Sequence, residues 1–150
     1  MQTRRETLRR SAVVAGLLAT TGLFPRYVLA YTQGAFEAKS VADVIKALGA
    51  GAPVESKDVV MVGPEIAENG AVVPFTIGTT LTGVKQLLLL VEKNPTILIA
   101  QFNLTDSVEP SFAIRAKMGQ TSDVFAVAIM HNGQALFAKT EVKVSQDGCG

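Results

Sequence analysis

The sequence predicts an all-β domain, an antiparallel sandwich of about seven short strands, preceded by a short N-terminal helix and a cleaved signal segment. Three observations predict this fold class. Short runs of strand-forming residues follow one another from residue 59, turn-forming residues separate them, and no helix-periodic segment comes between them. The pattern is typical of an immunoglobulin-like sandwich, here without the paired cysteines and the tryptophan of an antibody domain.

The first 30 residues have the order of an export signal, with a basic start, an apolar stretch and a small-residue end. The apolar stretch is shorter than the roughly 20 residues that a membrane-spanning helix needs. We therefore expect cleavage after Ala30 and no stable membrane anchor. Arg4 and Arg5, in the order Thr-Arg-Arg-x-x-Leu-Arg, resemble a twin-arginine signal, although Thr7 stands where that motif often has an aromatic residue. Export to the periplasm follows as an expectation.

Residues 31–150 have the length of one domain with one core. They carry nine basic and 12 acidic residues, and this negative balance speaks against a nucleic-acid partner. In an oxidising compartment a lone cysteine has no partner within its own chain, so it pairs between chains, stays free or carries a group. Composition does not choose among these three states.

A short helix is predicted at the start of the domain. Ser40 and Asp43 form a capping signal, Val44 and Ile45 lie on the apolar face, and Gly49 ends the helix. The strands that follow are predicted at residues 59–62, 72–79, 85–92, 97–104, 112–118, 124–131 and 135–144.

Residues that favour tight turns lie between these strands. Asn69-Gly70 and Asn132-Gly133 are strong turn signals, and the second predicts a two-residue hairpin loop. Pro74 has no amide hydrogen to donate, so its place within a predicted strand favours a sheet edge or a bulge.

Three predicted strands contain runs that are apolar on both faces, at residues 87–91, 97–100 and 124–130, whereas the strand at 112–118 alternates. Two explanations are open. In the first, the N-terminal helix covers one sheet, and small residues such as Ala126 and Ala128 face outward. In the second, a partner subunit covers part of an outer sheet, because large exposed apolar patches mark interfaces.

No catalytic or metal-binding constellation is predicted. His131 is the only histidine and directly precedes a turn, where a solvated side chain is expected. The carboxylates of Glu65 and Glu68 fit solvated turn positions better than a metal site, since no histidine or cysteine stands at ligand spacing. No glycine-rich loop follows a strand and opens a helix, so nucleotide binding is not supported.

The one cysteine, Cys149, lies between Gly148 and Gly150 in the C-terminal tail. A cysteine without neighbouring side chains to pack against is better explained by reactivity than by burial. The glycines provide a flexible arm, and four residues beyond Ser145 carry the sulfur out by about 13–14 Å. The carboxylate of Asp147 disfavours a thiolate, which suits an attachment point better than a catalyst. From the residues alone, a carrier, a disulfide linker and a stray cysteine stay open.

Several segments, in order along the chain, resemble one known family, that of SoxY, the carrier subunit of thiosulfate oxidation. The matching segments are residues 35–40, 42–44, 65–74, 91–95, 117–124 and 141–144, followed by the Gly-Cys-Gly tail. The resemblance implies an immunoglobulin-type sandwich that is exported by the twin-arginine route and forms a heterodimer with a second subunit, SoxZ. The predicted organisation is a signal at 1–30, a sandwich domain at 31–145 and a carrier tail at 146–150.

The resemblance also implies a role for Cys149 as the site of covalent sulfur attachment, with no other cofactor. By the family pattern, the cytochrome complex SoxAX joins this cysteine to thiosulfate, SoxB releases the terminal sulfone as sulfate, and SoxCD oxidises the remaining sulfane sulfur where that enzyme exists. The chain would then be a carrier and not an enzyme. The alternative is a secreted interaction module whose cysteine only forms an intermolecular disulfide.

The tail departs from the family pattern, which is usually Gly-Gly-Cys-Gly-Gly. Here Asp147 stands two residues before the cysteine and only Gly150 follows it. We expect Asp147 to repel anionic sulfur adducts weakly, since charges on an exposed tail are screened by solvent.

Overall fold

The computed structural model describes Arg5, Glu6 and residues 33–145. The chain divides into two units, Met1–Thr32 and Gln33–Gly150. In the first unit only Arg5 and Glu6 are described, and both are helical and exposed. Arg4 and Ala30 lie outside the described residues, so the signal and its cleavage site stay predictions. Among the described residues, none belongs to a helix that is both long and apolar enough to cross a membrane.

The second unit is a β-sandwich with two short helices in front. The helices are α1, Gln33–Glu37, and α2, Val41–Ala47. The strands are β1 Val54–Glu55, β2 Val59–Val62, β3 Ile66–Ala67, β4 Val73–Thr79, β5 Val84–Val91, β6 Leu98–Asn103, β7 Ser111–Ala116, β8 Ser122–Met130 and β9 Ala135–Val144. The larger sheet has the order β1-β9-β8-β5-β6, with β3 also paired to β9, and the smaller sheet has the order β2-β4-β7.

Helix α2 forms where its capping signal predicted it. The Oγ of Ser40 accepts a hydrogen bond from the amide of Asp43 at 3.1 Å, and Gly49 follows the helix with φ of +78°, a conformation that favours glycine. Val44 and Ile45 are buried, as the apolar face required. Helix α1 was not predicted, because five residues are too few to show a helical period.

The seven predicted strands are present within about two residues of their expected ends. The structure adds two that the sequence analysis missed, β1 and β3, each of two residues. Both pair with β9 in parallel, so the larger sheet is mixed. The seven predicted strands pair antiparallel, as predicted, and the smaller sheet is antiparallel throughout. A strand of two residues is too short to show alternation. Only their pairing with β9 in the fold defines β1 and β3 as strands.

The larger sheet is buried on both faces. Its inner face packs against the smaller sheet in a core that includes Leu87 and Leu89. Its outer face carries Leu88 and Leu90, which pack in a second cluster with the buried residues of α2. The doubly apolar runs of β5 and β8 are therefore explained by the helices of the same chain and need no partner.

One detail of that explanation was wrong. Ala126 and Ala128 were expected to face outward, but both are fully buried in the inner core. Val127 and Ile129 take the outer face instead and pack toward the helices. On the inner side of β8, Ala126 and Ala128 lie in the same core as Phe75 and Ile77 of the smaller sheet.

The smaller sheet buries one face only. Its inner residues include Phe75 and Ile77, which are at most 2% exposed. Its outer face exposes apolar side chains and holds an open groove of about 800 Å³. The exposed residues of that face are the apolar Val60, Val62, Pro74 and Ala113 and the polar or charged Thr76, Ser111 and Arg115. The exposed apolar face thus belongs to the smaller sheet, whereas the doubly apolar runs that suggested such a face belong to the larger sheet.

Pro74 lies in β4, the central strand of the smaller sheet. The pairing with β2 ends at Val62 and Thr76, and Pro74 lies beyond that pair, where it is opposed only by Arg115 of β7. Locally the strand is an edge, as the missing amide hydrogen of proline predicted.

Candidate functional site at the base of the C-terminal tail

The residues predicted to carry sulfur chemistry lie just beyond the last strand. Cys149, Asp147, Gly148 and Gly150 are outside the described residues. The structure describes the chain up to Ser145, which follows β9 directly. The site can therefore be built from its base, the end of the domain where the tail leaves.

The end of β9 is fastened on both sides. On one side, the amides of Lys143 and Ser145 donate to the carbonyls of Glu65 and Ala67 at 2.9 and 3.0 Å, which is the parallel pairing with β3. On the other side, the amide of Val144 donates to Oγ1 of Thr121 at 3.0 Å. Three consecutive backbone amides are thus satisfied, and the starting point of the tail is fixed relative to the sandwich.

The loop that supplies Thr121 is itself held by the turn between β5 and β6. The side-chain amide of Asn94 donates to the carbonyl of Lys117 at 2.6 Å. The buried hydroxyl of Ser122 accepts from the amide of Lys93 at 3.0 Å and donates to the carbonyl of Asp123 at 2.8 Å. These hydrogen bonds join the two segments through their own polar groups. The base of the tail is therefore held in place by hydrogen bonds rather than by a large apolar core.

Gly70 closes the third side of the base. The amide of Met118 donates to the carbonyl of Gly70 at 2.7 Å. A Cβ added to Gly70 would collide with the carbonyl of Met118 and lie 2.9 Å from a methyl group of Val144. Only glycine leaves room for this close approach between the loop after β3 and the end of β9.

Four of the segments that carry the family resemblance meet at this end of the domain, namely residues 65–74, 91–95, 117–124 and 141–144. They are far apart in the sequence and come together only in the fold. No local sequence pattern predicted Asn94, Thr121 and Ser122 as supports of the tail. Their presence within the resembling segments was the one available signal.

The chemistry available among the described residues at this base is limited. Its charges are exposed and of both signs, and Lys139 pairs with Asp123 at 3.5 Å while lying 5.9 Å from the Phe125 ring centroid. No group of three or more metal-ligating side chains occurs in residues 33–145 or at Arg5 and Glu6.

His131 is exposed, as predicted, and follows the far end of β8, about 30 Å along the strand direction from Ser122. The described part of the chain therefore places its histidine far from the start of the tail.

Thr121→Val tests the fastening of β9. The substitution keeps the shape of the side chain but removes the acceptor for the Val144 amide, and leaving such a donor unpaired costs about 1 kcal/mol. We expect the Val144 amide to exchange its hydrogen about fivefold faster, measured by NMR hydrogen exchange. Thr96→Val, at an exposed position in the β5–β6 turn, is the control and should leave that rate unchanged. Equal rates in the two variants would contradict the role of Thr121.

The fold and this site define a small β-sandwich domain that fixes the start of a cysteine-bearing tail. The family model of the sulfur oxidation protein SoxY matches residues 45–149, most of the chain and including Cys149. The chain therefore belongs to the SoxY family.

One solved structure agrees with this assignment, and another shares the fold. The sulfur carrier protein SoxY from Chlorobium limicola f thiosulfatophilum is 31% identical, with a TM-score of 0.64, and the match covers 71% of this chain and 96% of that one. A superoxide reductase (neelaredoxin) from Ignicoccus hospitalis is 13% identical with a TM-score of 0.52, and the match covers 58% of this chain and 80% of that one. The second likeness shows a shared sandwich fold alone. No curated protein sequence matches the chain.

Proposed function

We propose that the chain is a periplasmic sulfur carrier of thiosulfate oxidation that holds sulfur intermediates covalently on Cys149 and presents them to partner enzymes. The observation that carries the proposal is the SoxY family match, which runs through the only cysteine of the sequence. The fastened base of the tail supports it, because a carrier needs a fixed origin from which the sulfur reaches about 13–14 Å.

The proposed attachment is an oxidative bond between two sulfur atoms. The thiol of Cys149 and the sulfane sulfur of thiosulfate form a disulfide-type bond, and one proton and two electrons are released. A SoxAX-like cytochrome would accept the electrons. Water then splits the terminal sulfone from the adduct in a SoxB-like enzyme, which releases sulfate and leaves one sulfane sulfur on the cysteine. A SoxCD-like enzyme, where present, would oxidise that sulfur further.

In this proposal the sandwich is a scaffold and not an enzyme. The residues that fasten the tail are backbone groups, hydroxyls and an amide, none of which is suited to abstract a proton at neutral pH. The partner enzymes would supply the catalytic groups and set the ionisation of the thiol within their own pockets.

We also propose a heterodimer with a SoxZ-like subunit. The surface that favours it is the outer face of the smaller sheet, where Val60 and Val62 are 46% and 63% exposed. Contiguous apolar side chains of this kind favour burial against another protein. Export by the twin-arginine route would bring the folded chain to the compartment where thiosulfate is oxidised.

Intact mass of the chain isolated from the periplasm of thiosulfate-grown cells tests the proposal. We expect a fraction of the protein to carry added sulfur, sulfonate or thiosulfonate, located by fragmentation on the peptide that contains Cys149 and removed by a thiol reductant. The control is the same protein from cells grown without thiosulfate. A doubled mass that reduction converts to the unmodified chain, with no adduct in either growth condition, would support a disulfide linker and contradict a carrier.

A further inference from the structure

The two Asn-Gly pairs that predicted turns are also the places in the sequence where an asparagine side chain can react most readily with its own backbone. In this reaction the amide nitrogen of the next residue attacks the side-chain carbonyl carbon, so it needs a hydrogen on that nitrogen and open space around it. The sequence has four asparagines. Asn94 precedes a proline, which has no amide hydrogen, and Asn103 precedes a leucine, whose side chain hinders the attack. Asn69 and Asn132 precede glycines, which impose neither obstacle.

The structure gives both Asn-Gly pairs the same side-chain arrangement. Oδ1 of Asn69 accepts a hydrogen bond from the amide of Ala71 at 3.0 Å, and Oδ1 of Asn132 accepts one from the amide of Gln134 at 2.9 Å. Each bond closes an Asx turn, which folds the side-chain carbonyl back toward the backbone beside the intervening glycine. The same bond draws electrons from the carbonyl carbon and makes it easier to attack. Both asparagines are exposed, so water can complete the reaction.

The two glycine amides differ in their hydrogen bonds. The amide of Gly133 donates to the carbonyl of Met130 at 3.0 Å within the turn between β8 and β9, and its nitrogen must give up this bond before it can attack. The amide of Gly70 donates to no other residue in the part of the chain that the structure describes. Gly70 is held through its carbonyl instead, which accepts from the amide of Met118 at 2.7 Å. Its nitrogen can therefore react without the loss of a hydrogen bond.

We propose that Asn69 is a site of spontaneous deamidation and that the turn around Asn132 protects the second pair. The nitrogen of Gly70 gives up its proton and bonds to Cγ of Asn69, the side-chain nitrogen leaves as ammonia with that proton, and a cyclic succinimide remains. Water then opens one of the two carbonyl–nitrogen bonds of the ring, which gives aspartate or isoaspartate. An amide and water are thus exchanged for a carboxylic acid and ammonia, and no electrons are transferred.

Isoaspartate at position 69 would disturb the base of the tail. Its main chain runs through the former side chain, so the backbone before Gly70 becomes longer by one methylene group. Gly70 has no spare room, since an added Cβ would already collide with the carbonyl of Met118 and crowd a methyl group of Val144. We therefore expect the end of β9 to loosen where the amide of Val144 donates to Thr121. The inference involves no chemistry of Cys149 and does not depend on the proposed carrier function.

Peptide mapping of the folded exported chain, incubated at mildly alkaline pH, tests the site. Trypsin releases residues 58–85 and 118–139, and each of these peptides contains a single asparagine, Asn69 in the first and Asn132 in the second. We expect the first peptide to gain the mass of amide-to-acid conversion at least roughly fivefold faster, because reaction at the second site must first break a hydrogen bond. In guanidinium the two rates should become equal, since the same pair of residues then reacts without a fold.

Two results of this mapping would overturn the proposal. One is a folded chain in which Asn132 converts as fast as Asn69 or faster. The other is a folded chain in which Asn69 stays intact while the unfolded chain converts, because the packing of Gly70 would then protect the asparagine rather than leave it open to attack.

Hydrogen exchange of the aged chain tests the consequence for the tail base. The Val144 amide should exchange roughly fivefold faster once isoaspartate has formed at position 69, as expected for the loss of about one hydrogen bond. Asn69→Asp, measured fresh, adds the charge without lengthening the backbone and should leave that rate unchanged. Asn69→Ser keeps an oxygen that can accept from the Ala71 amide but has no amide to lose, so ageing should not alter its Val144 exchange. Circular dichroism checks that both variants fold. An unchanged Val144 rate in chain that carries isoaspartate at position 69 would contradict the link to the tail base.

Discussion

Cys149→Ser is expected to reduce thiosulfate-dependent turnover of a reconstituted Sox system to the rate measured without this chain. The serine hydroxyl cannot form the sulfur–sulfur bond that the proposed cycle requires, so the loss should be complete and not graded. The measurement is thiosulfate-dependent cytochrome reduction. The thermal unfolding midpoint should not change, because residue 149 follows β9, the last described strand, in the sequence and the substitution replaces one small side chain by another of similar shape.

A second variant tests whether the position of the thiol matters as well as its presence. Ser145→Cys combined with Cys149→Ser keeps one cysteine in the chain but places it at the fastened base of the tail. We expect this protein to be as inactive as Cys149→Ser, since the sulfur then lacks the roughly 13–14 Å of reach that the tail gives it. Turnover close to that of the unchanged protein, in either variant, would contradict the carrier mechanism.

Gly70→Ala is expected to produce the largest loss of stability from a single added methyl group. The new Cβ would collide with the carbonyl of Met118, which is backbone and cannot rotate away, and would crowd Val144. Overpacking of this kind costs about 1–3 kcal/mol. We expect the free energy of unfolding to fall by that amount in urea titration.

The matched control is Gly119→Ala in the neighbouring loop. A Cβ there meets no atom within 4 Å, and Gly119 does not have a positive φ, so the substitution should change stability little. Because Gly70 lies against the end of β9, the Gly70 variant should also lower the turnover rate, whereas Gly119→Ala should not. Equal stability of the two variants would contradict the close packing at the tail base.

Much of the fold was predictable because the signals are local. The Ser40 cap, the Gly49 helix end and the Asn132-Gly133 turn each depend on the conformational preferences of a few adjacent residues. The alternation along β7 also predicted its inner face correctly, since successive side chains of a strand point to opposite sides. The turn at 132–133 contains a glycine with φ of +86°, in line with the hairpin signal.

The candidate site was predictable only in part. Its cysteine could be identified because it is the only one and stands between two glycines. Its support could not, because Thr121, Asn94 and Gly70 act on residues about 20 or more positions away in the chain. Such contacts leave no periodic pattern in a single sequence.

The sequence by itself determined the positions of the seven longer strands and of the turns, the capped helix and the location of the lone thiol, since local backbone preferences and composition specify these features. Only the tertiary structure decided that α2 covers the outer face of the larger sheet, that Ala126 and Ala128 face inward, and that β1 and β3 pair in parallel with β9. The reason is physical. An apolar run reveals that it must be buried, but the identity of what buries it depends on how distant segments pack.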